Sequence, residues 1–418
     1  MGTPYEQWFR EPVLRQIAAT QLFVSFAAQI CAVALPTIAI RSLGVGPIAA
    51  AALIAVEFLP AALLSPWIGG RADVVSARVM IVSCGIGTAV AVGAVPLTAA
   101  STTVPIALLY VVASIVGVSL ALNDVVVQRY LPTVTTTKRL DNANGAISAV
   151  RSIAQLGGPA IGGMVVGFVG GSYALCAAAA ATVCVILLAV RLPLVGLDSE
   201  NSHGRVDAPL STVKDLVRIL KADRFLTRML VTGAGLNLFG SALGGLYAFY
   251  AYRSLGLSSI AFGVTLAAFS AAALVAASVA GRIIGVVGPE RVVVLASVTA
   301  GTSLLLIPAA SIGWPVAVLV LYQCLFGFAA TLWTISSVGY RQRRYAPSIL
   351  GRIAAVNRSL ICIAVPVGAI GGGALASYAG VVNACLLAAS LGAAFVTIAA
   401  IGWGRSFRGL MTWNGQPA

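Results

Sequence analysis

Residues 17–40 read IAATQLFVSFAAQICAVALPTIAI, a stretch without a single charged side chain. A helix rises about 1.5 Å per residue, so roughly twenty residues span a hydrocarbon layer about 30 Å thick. Eleven more apolar stretches of this kind follow, separated by polar breaks, at residues 47–68, 79–99, 105–127, 145–168, 172–191, 229–252, 259–281, 291–310, 314–337, 353–375 and 380–403. The sequence therefore predicts an all-α membrane protein with twelve transmembrane helices.

The composition agrees with a chain that is largely embedded in lipid. Apolar residues make up 59% of the sequence, charged residues make up 9%, and the mean hydropathy is +0.99. Soluble domains are about one-quarter charged. A soluble domain does not fit these values.

The net charge of +14 follows from membrane topology. With the N-terminus placed in the cytoplasm, all but four of the 26 Lys and Arg residues fall in cytoplasmic segments. The exceptions are Arg41 and Arg253, which fall outside, and Arg151 and Arg358, which lie within spans. This positive-inside asymmetry predicts that both termini are cytoplasmic. A nucleic-acid-binding protein would gather its basic residues in one folded patch, so no nucleic-acid partner is expected.

The residue usage hints at the source of the chain. Arginine far outnumbers lysine, and alanine, glycine and valine are abundant, as in proteins from GC-rich bacterial genomes. We therefore expect a multi-pass protein of the bacterial inner membrane.

The longest polar stretch divides the twelve spans into two sets of six. We predict an N-terminal six-helix bundle at 1–191, a cytoplasmic linker at 192–228, and a C-terminal six-helix bundle with a short tail at 229–418. Residues 210–220 of the linker (LSTVKDLVRIL) place apolar side chains on one side of a helix and charged side chains on the other. This pattern is typical of a helix lying on the membrane surface, and a simple tether is the alternative.

Short sequence patterns recur in the same order in the two halves. The recurring pairs are Arg129-Tyr130-x-Pro132 and Arg344-Tyr345-x-Pro347, Arg151-Ser152 and Arg358-Ser359, Pro159 and Pro366, and Gly162-Gly163 and Gly371-Gly372-Gly373. Parallel six-span repeats around a central site are one recurrent plan of secondary transporters.

These features resemble the major facilitator superfamily. After the second span, Gly69-Gly70-Arg71-Ala72-Asp73 with Arg78 is similar to that superfamily's cytoplasmic loop signature, although Val74 stands where a basic residue is usual. Arg139-Leu140-x-x-Ala143-Asn144, which leads into the fifth span, resembles the branch that exports drugs and siderophores. The resemblance implies two six-helix bundles with alternating access, and gating roles for Asp73 and Arg78.

The fifth span carries the strongest resemblance. Gly145 followed by Gly158-Pro159-x-x-Gly162-Gly163 has the spacing of the motif associated with antiporters, with Ala154 replacing one glycine. Small residues four apart let helices touch backbone to backbone, and an interior proline bends a helix. Such a helix suits a moving interface, and Pro366 holds the corresponding position in the eleventh span. A close-packed structural crossing is the alternative.

Glu57 is the leading candidate for proton coupling. It lies near the middle of the second span, where a charged side chain costs about 2.5–3.5 kcal/mol on insertion scales. A carboxyl group in such surroundings can take up and lose protons near neutral pH. A permanently protonated side chain, or one lining a wet vestibule, is the alternative.

Asp124 and Arg151 form a second candidate pair. Asp124 falls near the cytoplasmic end of the fourth span and Arg151 falls inside the fifth. An ion pair between them would spare both from being charged and unpaired in a poor solvent. The pair could be a static brace or a switch that responds to protons or substrate.

Arg358 occupies the position that corresponds to Arg151 in the repeat, but the tenth span offers no acid. The family resemblance implies that the loop aspartate, Asp73, engages the eleventh span when the cytoplasmic side closes. Asp73 is therefore a candidate partner for Arg358.

Polar and aromatic residues of several spans could form a substrate cavity. The candidates are Gln29, Asn237, Tyr247, Tyr322, Gln323, Phe326 and Arg358. An apolar, aromatic pocket with few fixed charges suits amphiphilic organic compounds. Aromatic residues near span ends are also common as interfacial anchors.

The sequence does not indicate an enzyme. None of the glycine-rich stretches is a Walker loop, no nucleophile–base–acid set or metal cluster stands out, and there is one histidine. No cofactor or metal is expected.

We therefore expect a secondary active transporter, functional as a monomer, that exports a small lipophilic compound against inward proton flow. The compound could be an antibiotic, a siderophore or a related metabolite. An importer or facilitator of the same fold, and a non-transporting sensor or scaffold, are the alternatives.

Overall fold

The computed structural model describes residues 12–71, 75–101, 103–134, 137–193, 223–345 and 347–410, and this part of the chain is almost entirely helical. Its long helices are α1 (Pro12–Thr37), α2 (Pro47–Arg71), α3 (Ala77–Ser101), α4 (Ile106–Val134), α5 (Thr137–Val169), α6 (Gly171–Val190), α7 (Arg224–Phe249), α8 (Ser259–Val287), α9 (Pro289–Ser303), α10 (Pro315–Arg344), α11 (Pro347–Ala379) and α12 (Val381–Leu410). A π-helical turn extends α1 over Ile38–Ser42, and another extends α7 over Tyr250–Ser254.

Each of the twelve predicted spans falls mainly on one of these helices, with short helical turns completing the first, seventh and ninth. Eleven of them are long and apolar enough to cross a membrane, judged on the described residues. In α2 the described apolar segment is shorter and covers Pro47–Pro60. A helix satisfies every backbone hydrogen bond within its own segment, which is why apolar spans take this form in lipid. The predicted all-α membrane fold is confirmed.

Several helices are longer than the spans predicted from hydropathy, and α4 and α10 are two of them. The fourth span was expected to end at residue 127 and the tenth at residue 337, whereas α4 ends at Val134 and α10 at Arg344. The additional turns carry arginine and glutamine, which are good helix formers. Hydropathy marks the part of a helix that lies in lipid, and these helices continue beyond it.

The ninth span is interrupted, contrary to expectation. Helix α9 ends at Ser303, and a short helical turn follows at Leu306–Ala309. Pro308 has no backbone N–H, and a proline ring clashes with the carbonyl four residues before it. A two-residue break at 304–305 therefore lies inside the predicted ninth span, which as a whole covers Pro289–Ala309 in the structure and is confirmed.

The described residues divide into two compact units. One unit comprises residues 12–193 together with 248–270, and the other comprises 223–247 together with 271–410. The end of α7 and the beginning of α8 therefore group with the N-terminal helices. The predicted linker at 192–228 falls mostly outside the described residues, and the predicted domain boundaries remain predictions.

The first unit is built around α1. This helix packs on α5 and α6, while α3 packs on α4 and α6 and α2 packs on α4. Its core contains fully buried apolar side chains, including Leu14, Ile17, Leu131 and Leu192. Tight packing of this kind holds helices together where the surrounding lipid is equally apolar.

In the second unit, α9 packs against both α10 and α12, and α11 packs against α12. The aromatic ring of Phe225, at the start of α7, stacks near Tyr340 of α10 and Trp403 of α12, with ring centroids 4.7 and 5.5 Å away. This aromatic cluster joins three helices.

A single glycine separates the last two helices of each half. Gly170, between α5 and α6, has φ of 84°, and Gly380, between α11 and α12, has φ of 83°. Side chains disfavour this left-handed region, so glycine permits the abrupt change of direction. The same turn in both halves extends the internal repeat to backbone conformation.

Candidate functional site

The pair of opposite charges expected from the sequence is present in the first unit. Nη2 of Arg151 on α5 lies 2.6 Å from Oδ1 of Asp124 on α4. The arginine side chain is 31% exposed and the aspartate side chain 52% exposed. The predicted ion pair is therefore confirmed as a contact, and both of its side chains are partly exposed.

Gln21 of α1 completes this group, and sequence reasoning did not select it. Its Oε1 accepts hydrogen bonds from Nε and Nη2 of Arg151, at 3.1 and 2.7 Å. Its Nε2 donates to Oδ1 of Asn123 at 3.4 Å, and Asn123 donates to the Ser119 carbonyl at 3.0 Å. Gln21 and Asn123 are both almost fully buried. The available signal was that Gln21 is one of two amides in the first span.

We call Gln21, Asp124 and Arg151 the polar triad. Within the described residues, Nη1 of Arg151 and Oδ2 of Asp124 have no hydrogen-bond partner. Charged groups inside membrane helices face a bundle interior or a water-filled cavity. The triad therefore offers one free donor group and one free acceptor atom to water, a proton or a bound molecule.

An apolar cavity lies next to the triad, between α1, α3, α4 and α6. Its walls include Val24, Cys31, Thr88, Ser119 and Asn123. The predicted substrate-cavity residues do not line it. The cavity is inside the bundle of the first unit, and Asn123 connects it to the triad.

Glu57 lies where α2 crosses α4. The backbone carbonyl of Glu57 touches Gly117, where any side chain would collide with it. Two further bonds fix this crossing, from Ser114 Oγ to the Val56 carbonyl at 3.0 Å and from Tyr110 OH to the Ala49 carbonyl at 2.9 Å. The Glu57 carboxyl group is partly buried and makes no hydrogen bond or ion pair with a described residue. It is separate from the polar triad.

The glycines of the fifth span lie at two close helix crossings. A Cβ atom on Gly158 would lie 2.5 Å from Cβ of Gln29, and one on Gly162 would lie 3.3 Å from Cα of Ile30, so both face α1. Gln29 is therefore part of this crossing. Gly145 and the buried Pro159 are in the same helix.

Gly163 faces the first turns of α8 instead. A Cβ atom there would lie 2.6 Å from the Ser259 carbonyl oxygen and 2.9 Å from Cα of Gly263. The close backbone approach expected from small residues is thus present on two sides of α5.

The second unit has a similar crossing between α11 and α7. A Cβ atom on Gly368 would collide with the Leu238 carbonyl and the Ser241 hydroxyl. A Cβ atom on Gly372 would lie 2.9 Å from Cα of Ala242. Pro366, which was expected to shape this helix, is buried beside these glycines.

The aromatic candidates for a substrate cavity are neighbours in the second unit. The ring centroids of Tyr247 and Tyr322 are 6.0 Å apart, and those of Tyr322 and Phe326 are 5.6 Å apart. Gln323 and both tyrosines are buried. Asn237 donates to the Gly233 carbonyl of its own helix at 2.8 Å.

The remaining candidates are scattered. Arg358 on α11 has an exposed side chain, and Arg78, at the beginning of α3, is partly buried. Asp73 lies outside the described residues, so its expected contact with Arg358 stays a prediction.

A second acidic centre, at Asp223, was not anticipated. Its Oδ2 accepts hydrogen bonds from Tyr340, Tyr345 and Nε of Arg344, at 2.9, 2.6 and 2.9 Å. Its Oδ1 accepts the Leu226 amide at 2.9 Å and caps the start of α7. The repeated Arg344-Tyr345 pattern is thus an anchor between α10 and α7.

The environment of Asp223 favours its charged form. Burial by itself raises the pKa of the carboxyl, but the hydrogen bonds from Tyr345, the Leu226 amide and Tyr340, and the charge of Arg344, outweigh it. The pKa of Asp223 therefore lies below its usual range.

Comparison with known proteins places the chain in a broad group. A sequence model of the Major Facilitator Superfamily matches residues 17–252. No curated protein matches the chain in sequence.

Several solved structures share the fold. The nucleoside transporter NupG has a TM-score of 0.72 and 14% identity, covering 96% of this chain and 99% of that chain. A bacterial homolog to the human lysosomal transporter Spinster, inward-facing and unoccupied, has a TM-score of 0.71 and 14% identity, covering 100% of each chain. A D-xylose-proton symporter has a TM-score of 0.64 and 13% identity, covering 91% and 96%. At these identities the likeness concerns the fold alone.

Proposed function

Because this chain belongs to the Major Facilitator Superfamily, we propose that it is a proton-coupled secondary transporter that exports a small lipophilic compound by alternating access. The polar triad is the observation that carries the proposal. A protein that only braces a membrane has no need for a half-exposed ion pair held between three transmembrane helices. Such groups mark pathways for ions, protons or substrates.

Glu57 and Asp124, the two acids that fall within the predicted spans, divide the coupling between them. Glu57 makes no hydrogen bond or ion pair with a described residue, so it can gain or lose a proton without breaking one. Asp124 is paired, and its protonation would remove one anchor of Arg151 and leave the guanidinium held by Gln21. Glu57 is therefore the carrier of the proton. The polar triad either couples proton movement to transport or braces the helices that it joins.

The proton gradient supplies enough energy for export. One charge that crosses 100 mV releases about 2.3 kcal/mol. At about 1.36 kcal/mol for each tenfold step, this supports roughly fifty-fold accumulation.

The chemistry of the second unit supports a lipophilic cargo. Tyr247, Tyr322 and Phe326 form a continuous aromatic group, with Gln323 beside it as a hydrogen-bonding side chain. Apolar and aromatic walls with a few polar groups bind amphiphilic organic molecules. The glycine–proline pattern of α5, similar to that of antiporters, favours export over import.

Proton flux in liposomes tests the proposal directly. The purified chain is reconstituted with a pH-sensitive dye inside, and a panel of hydrophobic antibiotics, lipophilic cations and hydroxamate chelators is added. We expect at least one compound to evoke proton flux. We expect Glu57→Gln to reduce that flux at least tenfold while leaving exchange of labelled compound across the membrane intact.

Glu290→Gln provides the matched control, because it makes the same chemical change at the start of α9. Its flux should equal that of the unmodified chain. Equal proton flux in Glu57→Gln, or no response to any compound, contradicts the proposal. Flux in oriented vesicles then gives the direction of transport.

A further inference from the structure

Two copies of the tetrapeptide Arg-Ser-Leu-Gly follow the first helix of each half. They are Arg41-Ser42-Leu43-Gly44 after α1 and Arg253-Ser254-Leu255-Gly256 after α7. Each begins in a π-helical turn, and each ends in a glycine with positive φ, 63° at Gly44 and 66° at Gly256. The two segments have the same sequence and the same backbone form.

Their internal hydrogen bonds also correspond. The Leu43 amide donates to the Ile38 carbonyl at 3.0 Å, and the Leu255 amide donates to the Tyr250 carbonyl at 3.0 Å. The amides of Val45 and Leu257 close the next turn of each segment, at 3.1 and 2.9 Å.

The two arginines reach across to each other's segment. Nη2 of Arg41 donates to the Leu257 carbonyl at 2.9 Å, and Nη2 of Arg253 donates to the Ile40 carbonyl at 2.8 Å. Both partners belong to the first unit, because residues 248–270 group with the N-terminal helices. The end of α1 is therefore held by Arg253, and the loop after α7 is held by Arg41.

Tyr252 strengthens the contact. Its hydroxyl lies 2.6 Å from the Thr37 hydroxyl, and its ring lies under the Arg41 guanidinium, 4.8 Å from Cζ to the ring centroid. Both Thr37 and Tyr252 are buried. Cation–π attraction and a buried hydrogen bond add to the two arginine bonds.

The placement of these arginines needs a reason. They are the two basic residues that the positive-inside pattern places away from the cytoplasm, and neither meets a carboxylate among the described residues. Instead, Arg253 binds the Ile40 carbonyl in the last turn of the α1 extension, where unpaired carbonyls and the helix dipole favour a cation. Arg41 binds the Leu257 carbonyl in the loop between α7 and α8. The positive charges of Arg41 and Arg253 therefore strengthen the hydrogen bonds between the two segments.

We propose that the two Arg-Ser-Leu-Gly segments form a reciprocal latch that holds the ends of α1 and α7 together at the face opposite the cytoplasm. The latch is closed in this conformation and has to open when the pathway opens toward that face. This role in transport rests on the proposed function, whereas the latch as a mechanical unit does not.

Reciprocity gives the latch a distinctive signature. Loss of one arginine removes the hydrogen bond that holds the other segment, so the damage appears in the partner. A charge-assisted hydrogen bond that is lost should raise local opening roughly tenfold. A merely local role for either arginine would loosen only its own turn.

Hydrogen–deuterium exchange of the full chain in lipid nanodiscs tests this without any substrate. We expect Arg253→Gln to raise exchange of the Leu43 and Val45 amides roughly tenfold, and Arg41→Gln to do the same at Leu255 and Leu257. Ser42→Ala, at an exposed position within the first segment, is the matched control and should leave the second segment unchanged.

Tyr252→Phe supplies a milder variant that keeps both arginines. It removes the bond to Thr37 and should raise exchange in the first segment by a smaller factor. Exchange that changes only in the substituted segment, or in neither, overturns the latch. Because no proton or cargo is involved, this outcome is independent of the flux measurement on Glu57.

Discussion

At Asp223 one carboxylate accepts four hydrogen bonds from two separate parts of the second unit. It caps α7 through the Leu226 amide and binds the end of α10 through Tyr340, Arg344 and Tyr345. A buried carboxylate is stable only when its oxygens are fully paired. Asp223 therefore fixes the start of α7 against α10.

Replacement of Asp223 with Asn tests this anchor. Asparagine can still cap the helix, but it loses the charge that binds Arg344 and the two tyrosines. We expect the free energy of unfolding to fall by about 1.5–3 kcal/mol at neutral pH, measured by thermal unfolding in detergent.

The effect should depend on pH in one direction. The pKa of Asp223 is lowered in the folded chain, so its contribution is complete above the unfolded value of about 3.9 and is lost as pH falls through the folded value. The difference in the free energy of unfolding between wild type and Asp223→Asn should therefore disappear below about pH 4. A gap of constant size down to pH 3 would show that charge is not involved.

At the scale of elements, α5 is defined by its two glycine-lined contacts. Gly158 and Gly162 face α1, and Gly163 faces α8. Backbones this close leave no room for a methyl group. The crossing therefore depends on glycine at the contact itself, and other glycines in α5 are not equivalent.

Gly163→Ala should weaken the fold, because its Cβ atom would lie 2.6 Å from the Ser259 carbonyl oxygen. Overpacking of this kind costs about 1–3 kcal/mol, which thermal unfolding of the full chain will measure. Gly157→Ala is the control on the same helix, since its Cβ atom would meet only Ile161 at 3.8 Å. Equal stability of the two variants would contradict the close crossing.

At the scale of the whole molecule, basic residues lie at the beginning of some helices and at the end of others, according to the direction in which each helix runs. Arg224 begins α7, and Arg282 and Arg344 lie toward the ends of α8 and α10. Only the latch arginines, Arg41 and Arg253, occupy the other ends of the described helices α1 and α7. This alternation is the pattern of a positive-inside membrane protein with both termini on the basic side.

Labelling in intact cells tests the topology. With a membrane-impermeant maleimide, Ser42→Cys and Ser254→Cys should react above the background of the wild type, because both positions are exposed and the predicted topology places them opposite the cytoplasm. Arg282→Cys should react only after permeabilisation. The reverse pattern would invert the orientation.

Much of the fold was predictable because hydropathy reports directly on lipid exposure. The apolar spans, the glycine crossings of α5 and the contact between Asp124 and Arg151 were all expected from residue types and neighbouring helices. The break in α9 was missed, although Pro308 marked it. Aromatic residues of α10 could be named as candidates, but their common cluster could not be predicted.

The sequence by itself determined that this chain crosses the membrane repeatedly, and it indicated which ends of the helices are basic, because these properties belong to each segment alone. The tertiary structure decided which polar side chains meet. Gln21 and Arg151 are 130 residues apart, and Arg41 is 216 residues from Leu257. Such contacts depend on how helices turn toward one another, and the composition of a single helix carries no record of that rotation.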